Sequence, residues 1–388
     1  MLTRTYQIDE INSVEKTPFD KVIEFIVDEC DKAAPELPVS YKDFYNETGR
    51  ATRGMAMSVK ARALLYAASK LHNPSHATDK WEKAAKAAYD IIQTGWYTLP
   101  NIDVDPLYDV NGGNVILNSS QLIFERRNND DNAFESRNLP IGFENGNSGN
   151  TPTQNLVDAY EMADGTPFSW ENTKHASKPY SGRDPRFYKA ILYNEASFMG
   201  TKIETFEGGR NASPITGATL TGYYLRKYMN ETVSLSPTNP IKKPHHFVLF
   251  RYAETLLNYA EAMNELGGPD YTADELPISA RTALNKVRSA ANMPDITDNG
   301  DDFTARLRNE RRVELAFEDH RFWDIRRWMI GDVVKDIYGV KITKKGSKYS
   351  YTPTKIQTRV WNEKMNLYPI AQSEIYKNGN LTQNDGWE

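Results

Sequence analysis

Glu310, Glu314, Glu318 and His320 are the residues whose types and spacing first invite a chemical reading. Three carboxylates at i, i+4 and i+8 with a histidine close by could bridge a metal ion. The Glu-x-x-His spacing that helical metal bundles use would, however, need a glutamate where Phe317 stands. The four sit inside Asn309–Trp328, NERRVELAFEDHRFWDIRRW, which holds five acidic and five arginine side chains among large apolar ones. Like charges four residues apart on a helix repel unless cations lie alongside, and Arg311, Arg312 and Arg321 are the local candidates. Phe303 and Leu307 flank the glutamate line, so it does not face bulk water throughout. A partly buried network of arginine–carboxylate pairs that fixes how this helix docks is the expectation.

Other catalytic patterns are missing. There is no Gly-x-Ser-x-Gly elbow, no His-Glu-x-x-His and no Walker-type loop, and the Gly208–Gly209 pair lacks the spacing of a dinucleotide fingerprint. No cofactor and no metal is expected. His245 and His246 follow Pro244 and are read as helix-entry residues; neighbours on a helix point apart, so they make poor joint ligands. Lys plus Arg is 47 against Asp plus Glu at 52, a net charge of -5, which argues against a nucleic-acid partner. The single cysteine, Cys30, excludes an internal disulfide. It lies on the apolar line Phe19, Val22, Ile23, Ile26 and is expected to be buried.

The elements that must position these groups are mainly helical. Thr17-Pro18 opens a first helix that Pro35 stops. A second runs from about Thr52 to Leu71. A third starts at Asp79 or Lys80, shows Trp81, Ala84, Ala85, Ala88 and Ile92 on one side, and ends at Gly95. Phe247–Leu266 presents Leu249, Tyr252, Ala253, Leu256, Tyr259, Ala260 and Met263 along one face, Pro277–Ala291 answers it, and Asp301–Trp328 follows as one further helix. Such pairs resemble tetratricopeptide-type hairpins, and each needs a neighbour to bury its apolar face. The expected fold is mainly α in a single domain over 1–388. Hairpins at 17–95 and 246–330 form the scaffold, 96–245 is a loop-rich insertion, and 331–388 packs back on the scaffold. Within the insertion only Val157–Met162, Pro185–Tyr193 and Gly222–Tyr228 read as brief helix or strand. Long irregular stretches are uncommon in compact domains unless they have a task, so function is expected there. Lys341–Lys348 reads as a solvated hairpin tip.

In order along the chain, GRATRGMAMSVKARALLYAAS, TPTQNLVDAYEMADG, RDPRFYKAILYN, TGYYLRKYM, FRYAETLLNYAEAMNELGG, the Asn309–Trp328 stretch and YPIAQSEIYKNGNLTQNDGW resemble the SusD/RagB family of surface lipoproteins. The resemblance implies non-catalytic binding of oligosaccharide or polysaccharide at the extracellular face of an outer membrane. It also implies delivery to a SusC-type TonB-dependent transporter. Family members carry a signal peptide and a lipid-bearing cysteine in a longer N-terminal part, so the membrane is met only through an anchor this chain lacks. A peptide-uptake protein of the same family, a helical-repeat module for protein partners and a glycoside hydrolase are the alternatives.

Sugar recognition needs flat apolar platforms and planar hydrogen-bonding groups, with stacking worth on the order of 1 kcal/mol per ring. Residues 126–150, RRNNDDNAFESRNLPIGFENGNSGN, supply both. The expected ligand-binding residues are Arg127, Phe134, Arg137, Asn138, Phe143, Asn145, Asn147 and Asn150, with Gly142, Gly146 and Gly149 allowing close backbone approach. A second candidate is 198–211 with Phe198, Phe206 and Arg210, joined by Trp170 and Tyr180.

Overall fold

A computed structural model describes residues 1, 3–7, 10, 14–41, 49–109, 111 and 113–388. Three helices open the chain: α1 (Phe19–Glu36), α2 (Arg53–Ala68) and α3 (Thr78–Ile92). Thr52 caps α2 by accepting from the Met55 amide, which satisfies one of the orphan N–H groups of the first turn. Four helices return late: α8 (Tyr252–Gly267), α9 (Ala280–Ala290), α10 (Gly300–Glu314) and α11 (His320–Arg327). Between the two sets lie β1 (Leu122–Asp131), α4 (Ala133–Asn138), α5 (Gln154–Val157), α6 (Thr173–Ser177), α7 (Pro185–Ala190), β2 (Ile191–Leu192), β3 (Ser197–Phe198), β4 (Thr201–Lys202), β5 (Tyr224–Leu225) and β6 (Lys243–Arg251). The hairpin β7 (Asp336–Lys345) and β8 (Lys348–Thr358), then α12 (Gln372–Lys377), complete the order. The fold is mainly helical, and every sheet among the described residues has two strands.

Helix α8 is the centre. Its residues Tyr252–Met263 are all buried, because α2, α3, α9 and α10 pack around it. One apolar cluster joins Ala61, Leu65, Trp81, Ala84, Ala88 and Ile91 from the early helices with Leu256, Tyr259, Leu284, Phe303 and Leu307 from the late ones. Early and late helices therefore share a core, and alanines at the α3–α8 contact let the backbones approach closely. The irregular half has clusters of its own, around Phe187 and Tyr223 and around Phe198 and Tyr224.

Three expectations are corrected. Residues 247–251 are strand, so the helix begins at Tyr252 and His245 and His246 lie in β6. The segment 301–328 is two helices, broken where Phe317 and Asp319 take φ of 64° and 62°. That break swings Glu318 back toward Arg251 and Lys227, and the ion pairs hold a backbone shape that non-glycine residues rarely adopt. Cys30 is half-buried, not buried, because α1 packs by one side only and has no fully buried residue.

The glutamate line is buried as expected, with different cations. Glu310 meets Arg186 at 2.5 Å and Arg288 at 2.7 Å, and Glu314 meets Arg186 at 2.8 Å and Arg251 at 2.5 Å. Arg311 pairs with Asp324 at 2.9 Å, and Arg312 donates to the Asn155 carbonyl. The partners come from α7, α9 and the end of β6, so the network ties the irregular half to the scaffold. Burial by itself would raise the Glu314 carboxyl, but Arg251 and Arg186 outweigh it and hold it at about 2.

Candidate functional site

Strands β1 and β6 form an antiparallel ribbon in which Arg126 faces Phe247, Arg127 faces His246 and Asn128 faces His245. Side chains alternate along a strand, so Arg126, Asn128, His245 and Phe247 share one side of the ribbon. That side floors a cleft of about 470 Å³, walled by Tyr108, by Phe134 on α4, by the 226–230 turn and by Lys189 at the end of α7, with Asp109 and Asp319 also lining it. Aromatic rings meet in pairs along it. The Phe134 ring lies 5.7 Å from that of His245, and Tyr228 lies 5.8 Å from Phe247.

The 226–230 wall is held from three directions. Arg226 donates to Glu231 at 2.7 Å, Lys227 donates to Glu318 at 2.5 Å and to the Ala316 carbonyl at 2.9 Å, and the Asn230 amide donates to Glu135 at 2.9 Å. Between them Tyr228 adopts φ of 68°. A strained residue persists only where its surroundings over-determine it, and here it sets a tyrosine ring against the cleft. Glu135 is fully buried and also meets His245 Nε2 at 2.9 Å.

Electrostatics divide the two histidines. Burial disfavours the His245 imidazolium, but the hydrogen bond and charge of Glu135, with Asp131, more than compensate and raise its pKa. Burial pushes His246 down to about 4, helped by Arg127 and His245. The Tyr228 hydroxyl and the Nδ1 atoms of both histidines are buried within the protein and do not open into the cleft. Apolar ring faces beside the accessible polar side chains of Arg126, Asn128, Lys189, Asp109 and Asp319 can hold a polyhydroxylated ring: the C–H face rests on the aromatics while its hydroxyls reach those groups.

The sequence-derived site residues do not all gather here. Phe134 lines the cleft and also borders an open depression with Arg137, Asn138, Asn147 and Asn150. Asn138 is buried, donates to the Phe134 carbonyl at 2.9 Å and accepts from Asn150 Nδ2 at 2.7 Å. Asn147 donates to the Ser136 carbonyl at 2.7 Å and Asn145 to that of Leu235 at 3.1 Å. Arg127 points to the other side of the ribbon, 3.7 Å from Glu125. Phe143 packs edge-on against Phe198 at 5.5 Å.

The glycines serve the loop's own packing. A Cβ on Gly146 would sit 2.4 Å from the Pro140 carbonyl oxygen, and one on Gly149 would sit 2.6 Å from that of Arg137. In the second candidate, Phe198 and Tyr180 are core residues and Trp170 donates to Asp158 at 3.1 Å. Arg126 and Asn128 belong to the 126–150 stretch but are not among its expected ligand-binding residues, His245 and Phe247 read as helix in the sequence, and Tyr108, Lys189 and Tyr228 escape the sequence reading as site residues. The available signal was the two-residue alternation of Arg126 with Asn128 and of His245 with Phe247, which marks strands whose side chains share a face.

A helical scaffold thus bears an aromatic-walled polar cleft in its irregular half. Among the described residues no three histidine, cysteine or carboxylate side chains gather as a metal site. The family model described as SusD family matches residues 118–387, and the chain belongs to the SusD family. SusD-like protein P25 of Formosa agariphila is 24% identical and is matched over 99% of this chain and 67% of its own length. A SusD-like protein of Bacteroides fragilis, 26% identical, superposes with a TM-score of 0.81 over 100% of this chain and 75% of its own. A second protein from that organism, described as a SusD-like carbohydrate binding protein, is 26% identical with a TM-score of 0.78, over 98% and 75% of the two chains.

Proposed function

We propose that this chain captures an oligosaccharide or polysaccharide without turning it over, and passes it to a SusC-type TonB-dependent transporter at the extracellular face of an outer membrane. The observation that carries the reading is the cleft itself. Paired aromatic rings stand beside the polar side chains of Arg126 and Asn128 on the β1–β6 ribbon, inside the region matched by the family. Membership of a family that includes a described carbohydrate binding protein supports the ligand class. No helix among the described residues is long and apolar enough to cross a membrane; the proposed attachment is through a lipid anchor.

Phe134 is the pivot of the proposed site, since it borders both the cleft and the depression that holds Arg137, Asn138, Asn147 and Asn150. Affinity electrophoresis of the purified chain through gels containing individual polysaccharides tests the proposal. Retardation by at least one of them is expected, with about fivefold weaker binding for Phe134→Ala if one stacking contact is lost. Phe143→Ala and Asn145→Ala distinguish the cleft from the neighbouring loop. Release of reducing sugar by the pure protein, or retardation by no polysaccharide, would sink the reading.

A further inference from the structure

We infer that the cleft selects an acidic saccharide, one whose ring bears a carboxylate or a sulfate ester, with Arg126 and Lys189 as the groups that receive the negative charge; this rests on the glycan-binding reading above. Nearly all of the chain's other arginines are engaged. Buried arginines such as Arg186, Arg251, Arg288, Arg311 and Arg327 each meet carboxylates. Exposed ones find partners too, as Arg4 does with Glu10 and Arg281 with Asp270. Among the described residues, the guanidinium groups with neither a hydrogen bond nor an ion pair are those of Arg126, Arg137 and Arg321. Arg126 lines the cleft, and Arg137 lines the depression that shares Phe134 with it. Lys189 is half-buried in the cleft wall and is likewise unpaired.

Two free cations on one concave surface are notable on a chain whose net charge is -5. General attraction of a polyanion to such a protein is unfavourable, so affinity for one has to arise locally. A guanidinium can engage a carboxylate or sulfate through two parallel hydrogen bonds, and an ammonium can add a point charge without a fixed direction. The other two cations of the lining are already occupied: Arg226 by Glu231 at 2.7 Å and Lys227 by Glu318 at 2.5 Å. They shape the wall and leave recognition to Arg126 and Lys189. Asp109 and Asp319 also line the cleft, and both are exposed. They suit sugar hydroxyls and oppose an acidic group, so their removal gives a test of opposite sign.

The protein is run through native gels containing alginate or polygalacturonate (carboxylate), dextran sulfate (sulfate ester), or dextran and laminarin (neutral). Retardation by the acidic gels is expected to exceed that by the neutral ones, and carboxylate against sulfate identifies the acidic group. Arg126→Gln and Lys189→Gln should each weaken that binding about tenfold, as loss of a charge-assisted hydrogen bond does. Asp109→Asn should strengthen it, and Lys83→Gln, on the outside of α3, should leave it unchanged. Equal or stronger retention by neutral gels, indifferent to Arg126→Gln, overturns the acidic preference and leaves glycan capture standing. Retention by none of the gels overturns both.

Discussion

Arg251 closes on Glu318 with two nitrogens, Nε at 2.8 Å from Oε2 and Nη2 at 2.9 Å from Oε1. The arginine is the last residue of β6 and the glutamate lies in the turn between α10 and α11. One bidentate pair therefore fastens the ribbon that floors the cleft to the helices of the scaffold. Arg251→Met would leave Glu314 with Arg186 alone and Glu318 with Lys227 alone in the interior. A loss on the order of 3–5 kcal/mol is expected for breaking such a buried pair from one side, read from the midpoint of urea denaturation. A loss below about 1 kcal/mol would show that the network contributes little to docking.

Acid should lower the stability of the protein through two pH windows. His246 and His320 are both held at about 4 by burial, below the 6.5 of the free imidazole. The unfolded chain therefore binds their protons first, and stability falls as pH drops from about 6.5 toward 4. His245 is raised instead, so its contribution is whole below 6.5 and is lost as pH rises through its folded value, outside that range. Burial would raise Glu254 and Glu314, but the charge of Arg62 and of Arg251 respectively wins and holds each at about 2. Their contribution is whole above the usual 4.5 and is lost as pH falls through about 2. Denaturation midpoints measured between pH 7 and pH 2 should decline through both windows; a flat profile from 6.5 to 4 would contradict the buried, neutral histidines.

Glu135→Gln removes the charge beneath His245 while keeping an acceptor for the Asn230 amide. The His245 pKa, followed by NMR of its ring protons, should then drop, because burial would act with less opposition. An unchanged value would mean that Glu135 does not set it.

Cys30 should react under native conditions. It is half-buried, and burial raises its thiol pKa, so the thiolate is scarce at pH 7. One thiol per chain is expected to titrate with a disulfide reagent, slowly at pH 7 and faster as the pH is raised toward 9. No reaction until denaturant is added would place it in the core after all.

Gly339→Ala tests how tightly the hairpin meets the irregular half. A Cβ there would lie 2.8 Å from Thr221 Cα and 2.9 Å from the Leu220 carbonyl oxygen. Backbone on both sides cannot yield as a flexible side chain can. Destabilisation of roughly 1–3 kcal/mol is expected, again by urea denaturation.

Local pattern determined much of this molecule. The 3.6-residue spacing of Trp81, Ala84, Ala85 and Ala88, and of Leu256, Tyr259, Ala260 and Met263, marks faces that are buried in the structure, because helix periodicity needs only neighbours along the chain. Resemblance in ordered motifs likewise pointed to the family that the comparisons show. Burial of the glutamate line was legible too, from Phe303 and Leu307 beside it.

What the sequence could not give was partnership at a distance. Glu314 could be read as needing arginine, but Arg186 and Arg251 lie 128 and 63 residues away, and spacing along a helix carries no information about them. Residues 126–128 and 245–247 looked like loop and helix entry; only their pairing as β1 and β6 made a floor that sets Arg126, Asn128, His245 and Phe247 side by side. A strand satisfies its backbone through another strand, whereas a helix does so within itself. For that reason the helices were written locally, and the cleft was decided by the tertiary structure.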